Sequence, residues 1–284
     1  MIKLANGRTI ILRLLEPSKG LLSELCHNTG ISVRIPRKPL LRISMDYFKA
    51  AKCALLSQEI YSEFSSNFRF SEFPTLIPQL IEQTNTDTQC AILADLVENA
   101  LYIVFRGSER KRTDWMTNFK FGQEKVYPYE GESQSKAKMH RGFVGAYFSV
   151  RESIHTYVKT HTTPKIIVTG HSLGGALATL CAVDLQYNFP KQIHIELYTF
   201  GAPRVGNSGF QESFNQRVPR SYRIIYGMDI VPALPRVWQG YRHVDTEVRL
   251  GSRWSWKFLS QRFEDHQIGN YINILKEQMS TENE

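Results

Sequence analysis

Cysteine is scarce in this chain: Cys26, Cys53, Cys90 and Cys181 are the only four in 284 residues. No two of them form a Cys-x-x-Cys pair and no histidine-rich spacing accompanies them, which excludes a zinc ribbon or a dithiol redox motif. Disulfide frameworks belong mainly to small secreted domains. Cys53 and Cys181, set inside apolar helical patterns, therefore read as buried free thiols. Long apolar runs are missing too, so no segment has the about 18 residues a transmembrane helix needs. The N-terminal stretch MIKLANGRTIILRLLEPSKG is interrupted by Arg13 and has no small-x-small cleavage site, so no secretory leader is read. That missing leader sets the expectation of a cytoplasmic protein, or one exported by a route the sequence does not show. Internal repeats and low-complexity tracts are also lacking.

What is present is ordinary globular composition, 42% hydrophobic and 22% charged, in a length that supports one large α/β domain or two small ones. The formal charge is +8, from 35 basic and 27 acidic residues. Such a balance favours anionic partners. The basic residues are dispersed, however, and do not alternate with aromatics around a nucleic-acid module, so no nucleic-acid partner is expected. Arg110-Lys111-Arg112 is the nearest thing to a basic run.

Along the chain, residues 1–43 form an unplaced N-terminal segment, expected to pack on a main domain of residues 44–284. Residues 44–66 read as a long helix with Ser44 as its N-cap. Residues 89–95 and 100–105 read as the strands of a hairpin, 109–118 as a charged loop or short helix, and 142–160 as an amphipathic helix. A regular alternation follows: strand 165–170, helix 173–186, a strand within 193–203, helix 206–217, strand 221–229, a late strand over 241–250 and a final helix at 264–278. This order predicts an α/β fold, a mostly parallel central sheet with helices on both faces. Ligands then gather at the carboxyl ends of the strands.

At one such end stands VTGHSLGGALATL (168–180), a β-branched run that breaks at Gly170-His171-Ser172-Leu173-Gly174 and continues Ala/Leu-rich. Glycines around a serine at a strand-to-helix turn suit a nucleophile elbow, although a glycine-rich loop would read alike. A serine hydroxyl needs a base, and the base needs an orienting acid. In α/β-hydrolases these follow in the order Ser, Asp or Glu, His. Asp229, directly after the strand SYRIIY, fits the acid. Asp184 lies within the helix after Ser172 and points away, while Asp245 and Asp265 come late. His243 and His266 both fit the base by order. His266, at the start of the last helix, is favoured because it can reach back over the sheet edge. His171 beside the serine is a poor base, since adjacent side chains diverge. The backbone N–H of Leu173 and the N–H and hydroxyl of Ser108 are the candidate oxyanion donors.

At this point the chain resembles the class 3, fungal-type lipase family, with the α/β-hydrolase fold, over residues 45–275. IVFRGS (103–108) resembles its oxyanion segment, DWMTNF (114–119) the end of its lid, and MHRGF (139–143) its H-x-G-F signature. GHSLGGALA resembles its elbow, FGAPRVGN (200–207) a further hallmark, DIVPALP (229–235) the acid segment and EDH (264–266) the base segment. YRHVDTE resembles its late strand, whose histidine is not the base, so the resemblance selects His266 over His243. It implies a lipid ester hydrolase with a Ser172-His266-Asp229 triad, needing no metal or organic cofactor. It also implies a lid around Arg110, Lys111, Arg112, Trp115 and Met116, and peripheral contact with lipid surfaces. Trp238, Tyr241, Trp254, Trp256 and Phe258 read either as groove wall and interface anchor or as core.

Asp245 stands where the family usually has glycine, and Arg249 where an aromatic is frequent. Residues 1–43 match nothing in the pattern, and the signal peptide and disulfides of secreted fungal members are not read here. A phospholipase A1 or galactolipase acting on anionic membranes would keep the same triad. A non-catalytic lipid-binding module would typically lose one of its members.

Overall fold

The computed structural model describes residues 2–3, 9–10, 45–65, 67–108, 123–124, 136–161, 163–189, 193–244, 246–252 and 259–282. The chain divides into two units, Met1–Ser44 and Met45–Glu284. In the first, β1 (Ile2–Lys3) and β2 (Thr9–Ile10) pair antiparallel.

The second unit is built on a seven-stranded sheet. Its strands are β3 (Pro78–Gln83), β4 (Thr88–Asp95), β5 (Ala100–Phe105), β8 (Lys165–His171), β9 (His194–Phe200), β10 (Ser221–Tyr226) and β11 (Glu247–Leu250). They lie side by side in chain order from β3 at one edge to β11 at the other. β3, β4 and β5 pair antiparallel, and every later neighbour from β5 to β11 is parallel. A short antiparallel pair, β6 (Gln123–Glu124) with β7 (Met139–His140), stands apart.

Both faces of the sheet are buried, and the strand alternation divides the core in two. Leu101, Ile103 and Phe105 of β5 join Ile166 and Val168 of β8 in one cluster. Ala100, Tyr102 and Val104 join Ile167 and Phe200 in the other. Three helices cover the first face: α2 (Arg141–Thr160), α3 (Leu173–Asn188) and α4 (Ser208–Arg217). They are the crossovers β5–β8, β8–β9 and β9–β10. Right-handed crossovers that add strands in one direction must all fall on one side. The second face is covered by α1 (Tyr47–Glu59) and α6 (Ile268–Glu282), which pack on each other. α3 is buried nearly all round, which is why its sequence is apolar without a polar stripe.

Several sequence expectations shift in detail. The first helix is capped by Asp46, whose carboxylate accepts the Lys49 N–H at 2.9 Å, and it ends at Glu59. Ser44, the expected cap, lies outside the described residues. β3 went unread because Pro78 opens it and its residues alternate half-exposed at the sheet edge. The late strand shortens to Glu247–Leu250, since Arg242 forms only an isolated bridge to Gly206. The final helix is split into α5 (Leu259–Glu264) and α6, with Asp265 and His266 in the turn between them. Among the described residues, Cys53, Cys90 and Cys181 are buried free thiols, and no helix is long and apolar enough to cross a membrane.

Candidate active site

Ser172 joins β8 to α3 with φ 56° and ψ −127°, a left-handed conformation unusual for a residue with a side chain. Its N–H donates to the Phe200 carbonyl at 2.9 Å, and its own carbonyl accepts from Gly175 at 3.0 Å. The flanking glycines are fixed by close approach. A Cβ on Gly170 would come within 2.4 Å of the Gly174 backbone, and one on Gly174 within 2.2 Å of the Phe105 carbonyl oxygen. The sequence Gly-x-Ser-x-Gly is thus the condition for bringing strand, turn and helix this close.

Asp229 follows β10, and His266 occupies the turn between α5 and α6. His266 Nδ1 lies 2.7 Å from Asp229 Oδ2, and His266 Nε2 lies 2.8 Å from Ser172 Oγ. All three residues are buried. With the Nδ1 proton directed at the carboxylate, the Nε2 lone pair faces the serine hydroxyl, the tautomer that accepts its proton. Asp229 Oδ1 accepts the Val231 N–H at 2.9 Å. Tyr271, on α6, donates its hydroxyl to Asp229 Oδ2 at 2.5 Å. Burial and the neighbouring Asp229 push the Tyr271 hydroxyl well above its ordinary pKa, which keeps it a donor.

A second set of contacts holds this arrangement. Asp265 Oδ2 accepts the Met228 N–H at 2.9 Å, tying the turn of the histidine to the loop of the aspartate. His171 Nε2 donates to the His266 carbonyl at 2.7 Å, and Tyr61 donates to His171 Nδ1 at 3.0 Å. Gly201 has φ +57°, and a Cβ there would lie 2.6 Å from Asp229 Oδ2 and 2.8 Å from His266 Nδ1. The Asp–His pair therefore uses space that a side chain at 201 would fill.

The two candidate oxyanion donors lie on segments that border the elbow. Leu173 is the first residue of α3, where backbone N–H groups have no intrahelical partner. Ser108 is half-buried, three residues past the end of β5. A Cβ on the intervening Gly107 would approach the His171 carbonyl oxygen to 2.8 Å, so this segment runs against the elbow. Among the described residues no group of three or more His, Cys, Asp or Glu side chains is arranged to hold a metal ion.

The remaining sequence candidates go elsewhere. His243 Nε2 donates to the Pro232 carbonyl at 2.6 Å and so supports the loop after Asp229. Its burial and the nearby Arg223 and Arg204 hold it neutral, well below the usual histidine range. Asp184 faces α2, where it binds Arg151, His155 and Tyr147. Tyr241 is fully buried, whereas Trp238 is 81% exposed. Arg110, Lys111, Arg112, Trp115, Met116, Asp245, Trp254, Trp256 and Phe258 lie outside the described residues. Sequence reading missed Tyr271 and Tyr61, caught Gly201 only within the FGAPRVGN hallmark, and dismissed His171 as a base without seeing its support of His266. Only Gly201 left a signal, as a glycine directly at the carboxyl end of a strand.

Comparison with known proteins agrees with this geometry. Residues 102–238 match the family described as Lipase (class 3). The secreted mono- and diacylglycerol lipase 1 of Fusarium solani is 37% identical over 169 residues, 58% of this chain and 48% of that protein. The Rhizomucor miehei lipase is 35% identical over 167 residues, 57% of this chain and 44% of that protein. The chain thus spans about half the length of the relatives it matches. Among solved structures, a triacylglycerol lipase described as having a serine protease triad superposes with a TM-score of 0.63 at 28% identity, over 72% of this chain and 79% of that one. The Rhizomucor miehei triacylglyceride lipase gives 0.64 at 25% identity, over 81% and 94%. The first of these relatives corrects the cytoplasmic expectation, because its name marks it as secreted and it points to an extracellular setting. The strand-end elbow, the order of its partners and the match across 102–238 make the chain similar to the class 3, fungal-type lipases, and it has the α/β-hydrolase fold.

Proposed function

We propose that this chain hydrolyses carboxylic esters of lipids through a Ser172-His266-Asp229 triad. The observation that carries the reading is the continuous hydrogen-bonded line from Ser172 Oγ through the His266 ring to Asp229 Oδ2, at 2.8 and 2.7 Å. In this reading Ser172 Oγ attacks the acyl carbonyl carbon while His266 Nε2 takes its proton. The electron pair of the carbonyl moves onto oxygen, where the Leu173 N–H and Ser108 stabilise it. Collapse of the tetrahedral species expels the alcohol, which receives the proton from His266, and leaves an acyl-serine. A water deprotonated by His266 then attacks the acyl-serine, releasing the fatty acid and restoring the serine. Asp229 holds the imidazole and stabilises its cation.

The lid assignment, in which Arg110, Lys111 and Arg112 face solvent or lipid headgroups and Trp115 and Met116 cover or line the acyl groove, is part of the same proposal. Exposing apolar surface on opening is favourable against lipid and unfavourable in water. Product analysis after incubation with a panel of tri-, di- and monoacylglycerols, phospholipids and galactolipids tests the substrate class, with Ser172→Ala as the blank. A serine-directed fluorophosphonate should label Ser172 alone. Release of no fatty acid from any lipid, with unimpaired labelling, would restrict the activity to soluble esters.

A further inference from the structure

Past the end of β10, the loop 227–233 walls a cavity of about 240 Å³, bounded also by β11 and α5. We propose that this cavity is a binding site for a phosphate-type oxyanion. Liquid water takes about 30 Å³ per molecule, so the space is that of roughly eight waters, enough for a tetrahedral oxyanion with part of its hydration. Three arginines from three different elements face it: Arg204 after β9, Arg249 on β11 and Arg262 on α5. Two carboxylates also line it, and both are already engaged. Asp229 is bonded to His266 and Tyr271, and Glu247 pairs with Arg223 at 3.2 Å and Arg249 at 3.1 Å.

Neither Arg204 nor Arg262 pairs with a carboxylate among the described residues. Arg204 donates to the Pro235 carbonyl at 2.8 Å, and Arg262 donates weakly to the Met228 carbonyl at 3.4 Å. Each guanidinium carries five N–H donors, so both retain donors for an incoming ligand. The neighbouring Arg223, Arg236 and Arg242 add positive charge, which together with burial pulls Arg204 below its usual pKa. His243, the remaining titratable wall, is neutral and bonded to Pro232. A doubly charged oxyanion bridging Arg204 and Arg262 would relieve this crowding through paired charge-assisted hydrogen bonds. It would also tie the segment after β9 to the helix that leads into His266.

The site stands independently of the ester-hydrolysis reading, because its test needs no turnover. Inorganic phosphate should raise the melting temperature saturably above a chloride control of equal ionic strength. The rise should be about 3–6 °C near ten times the dissociation constant. Arg204→Gln and Arg262→Gln should each remove most of that rise, whatever their own starting melting temperature. Arg220→Gln, at the opposite end of β10, should keep it. Isothermal titration should give one phosphate per chain, weakened at least tenfold in either cavity variant. Glycerol phosphate distinguishes the source: binding as tight as phosphate marks a lipid headgroup site, and much weaker binding marks a site for the free anion. A rise no larger than chloride gives, or one equal in wild type and both cavity variants, would overturn the proposal.

Discussion

Among the described residues there are two buried His–Asp pairs of nearly identical length. His266 and Asp229 are 2.7 Å apart, and His155 and Asp184 are 2.6 Å apart. The first sits beyond the carboxyl ends of the strands, and its second ring nitrogen meets a serine hydroxyl at 2.8 Å. The second lies between α2 and α3, where Asp184 also binds Arg151 and Tyr147 and the His155 ring meets Phe189 edge-on at 5.3 Å. Among the described residues no serine meets the other nitrogen of His155. A short His–Asp contact is therefore not a sign of chemistry by itself. The strained serine and its place at the strand ends make the difference.

The largest test of that contrast is Ser172→Ala, expected to lower ester turnover by about 10⁴-fold or more at an unchanged melting temperature. Turnover within tenfold of wild type would dissolve the distinction between the two pairs. His266→Ala should be nearly as severe. His155→Ala should leave turnover within a few-fold while costing about 2–4 kcal/mol of stability, because Asp184 loses a buried partner. Denaturant melts beside ester assays separate the two outcomes, and a reversal would assign the reaction to the wrong pair. Ser108→Ala should lower kcat by roughly 10²-fold with little change in KM, as expected of a donor acting mainly in the transition state.

Tyr271 sharpens the comparison further, since each aspartate accepts from a buried tyrosine. Tyr271→Phe should lower kcat about tenfold with KM nearly constant, by loosening Asp229, whereas Tyr147→Phe should affect stability alone. The smallest effect concerns His243. Its folded-state pKa is depressed, so the unfolded chain binds the extra proton first as pH falls. Stability is complete above about pH 6.5 and declines below it, by at most about 1.4 kcal/mol per pH unit. His243→Gln, which retains a donor toward Pro232, should flatten that decline in melts between pH 7.5 and 5.5. Equal slopes would mean that His243 titrates normally.

Much of this was legible in the sequence because the controlling physics is local. Alternating two-sided burial in ALYIVF and KIIVTG announces a sheet covered on both faces, and the glycines around Ser172 report a turn that only close backbone approach explains. Chain order then narrowed the acid and the base. The supports of the site were hidden because they are long-range. Tyr271 meets Asp229 across 42 residues, and Tyr61 meets His171 across 110. No spacing rule connects such positions. The boundary between α5 and α6 was missed for a related reason: its residues read as helix, but Asp265 and His266 have partners elsewhere that hold the turn open.

The packing of α6 on α1 also bears on the time course of folding. His266 is carried just ahead of the last helix of its unit, and that helix docks on the first one, so a contact between distant parts of the chain completes the second face of the sheet. Contacts of such wide sequence separation carry a loop-closure entropy and tend to form late. During refolding the elbow and its strands would be in place before His266 arrives. Recovery of serine reactivity should then lag behind recovery of sheet signal, and catalysis would serve as a clock for the last step of assembly.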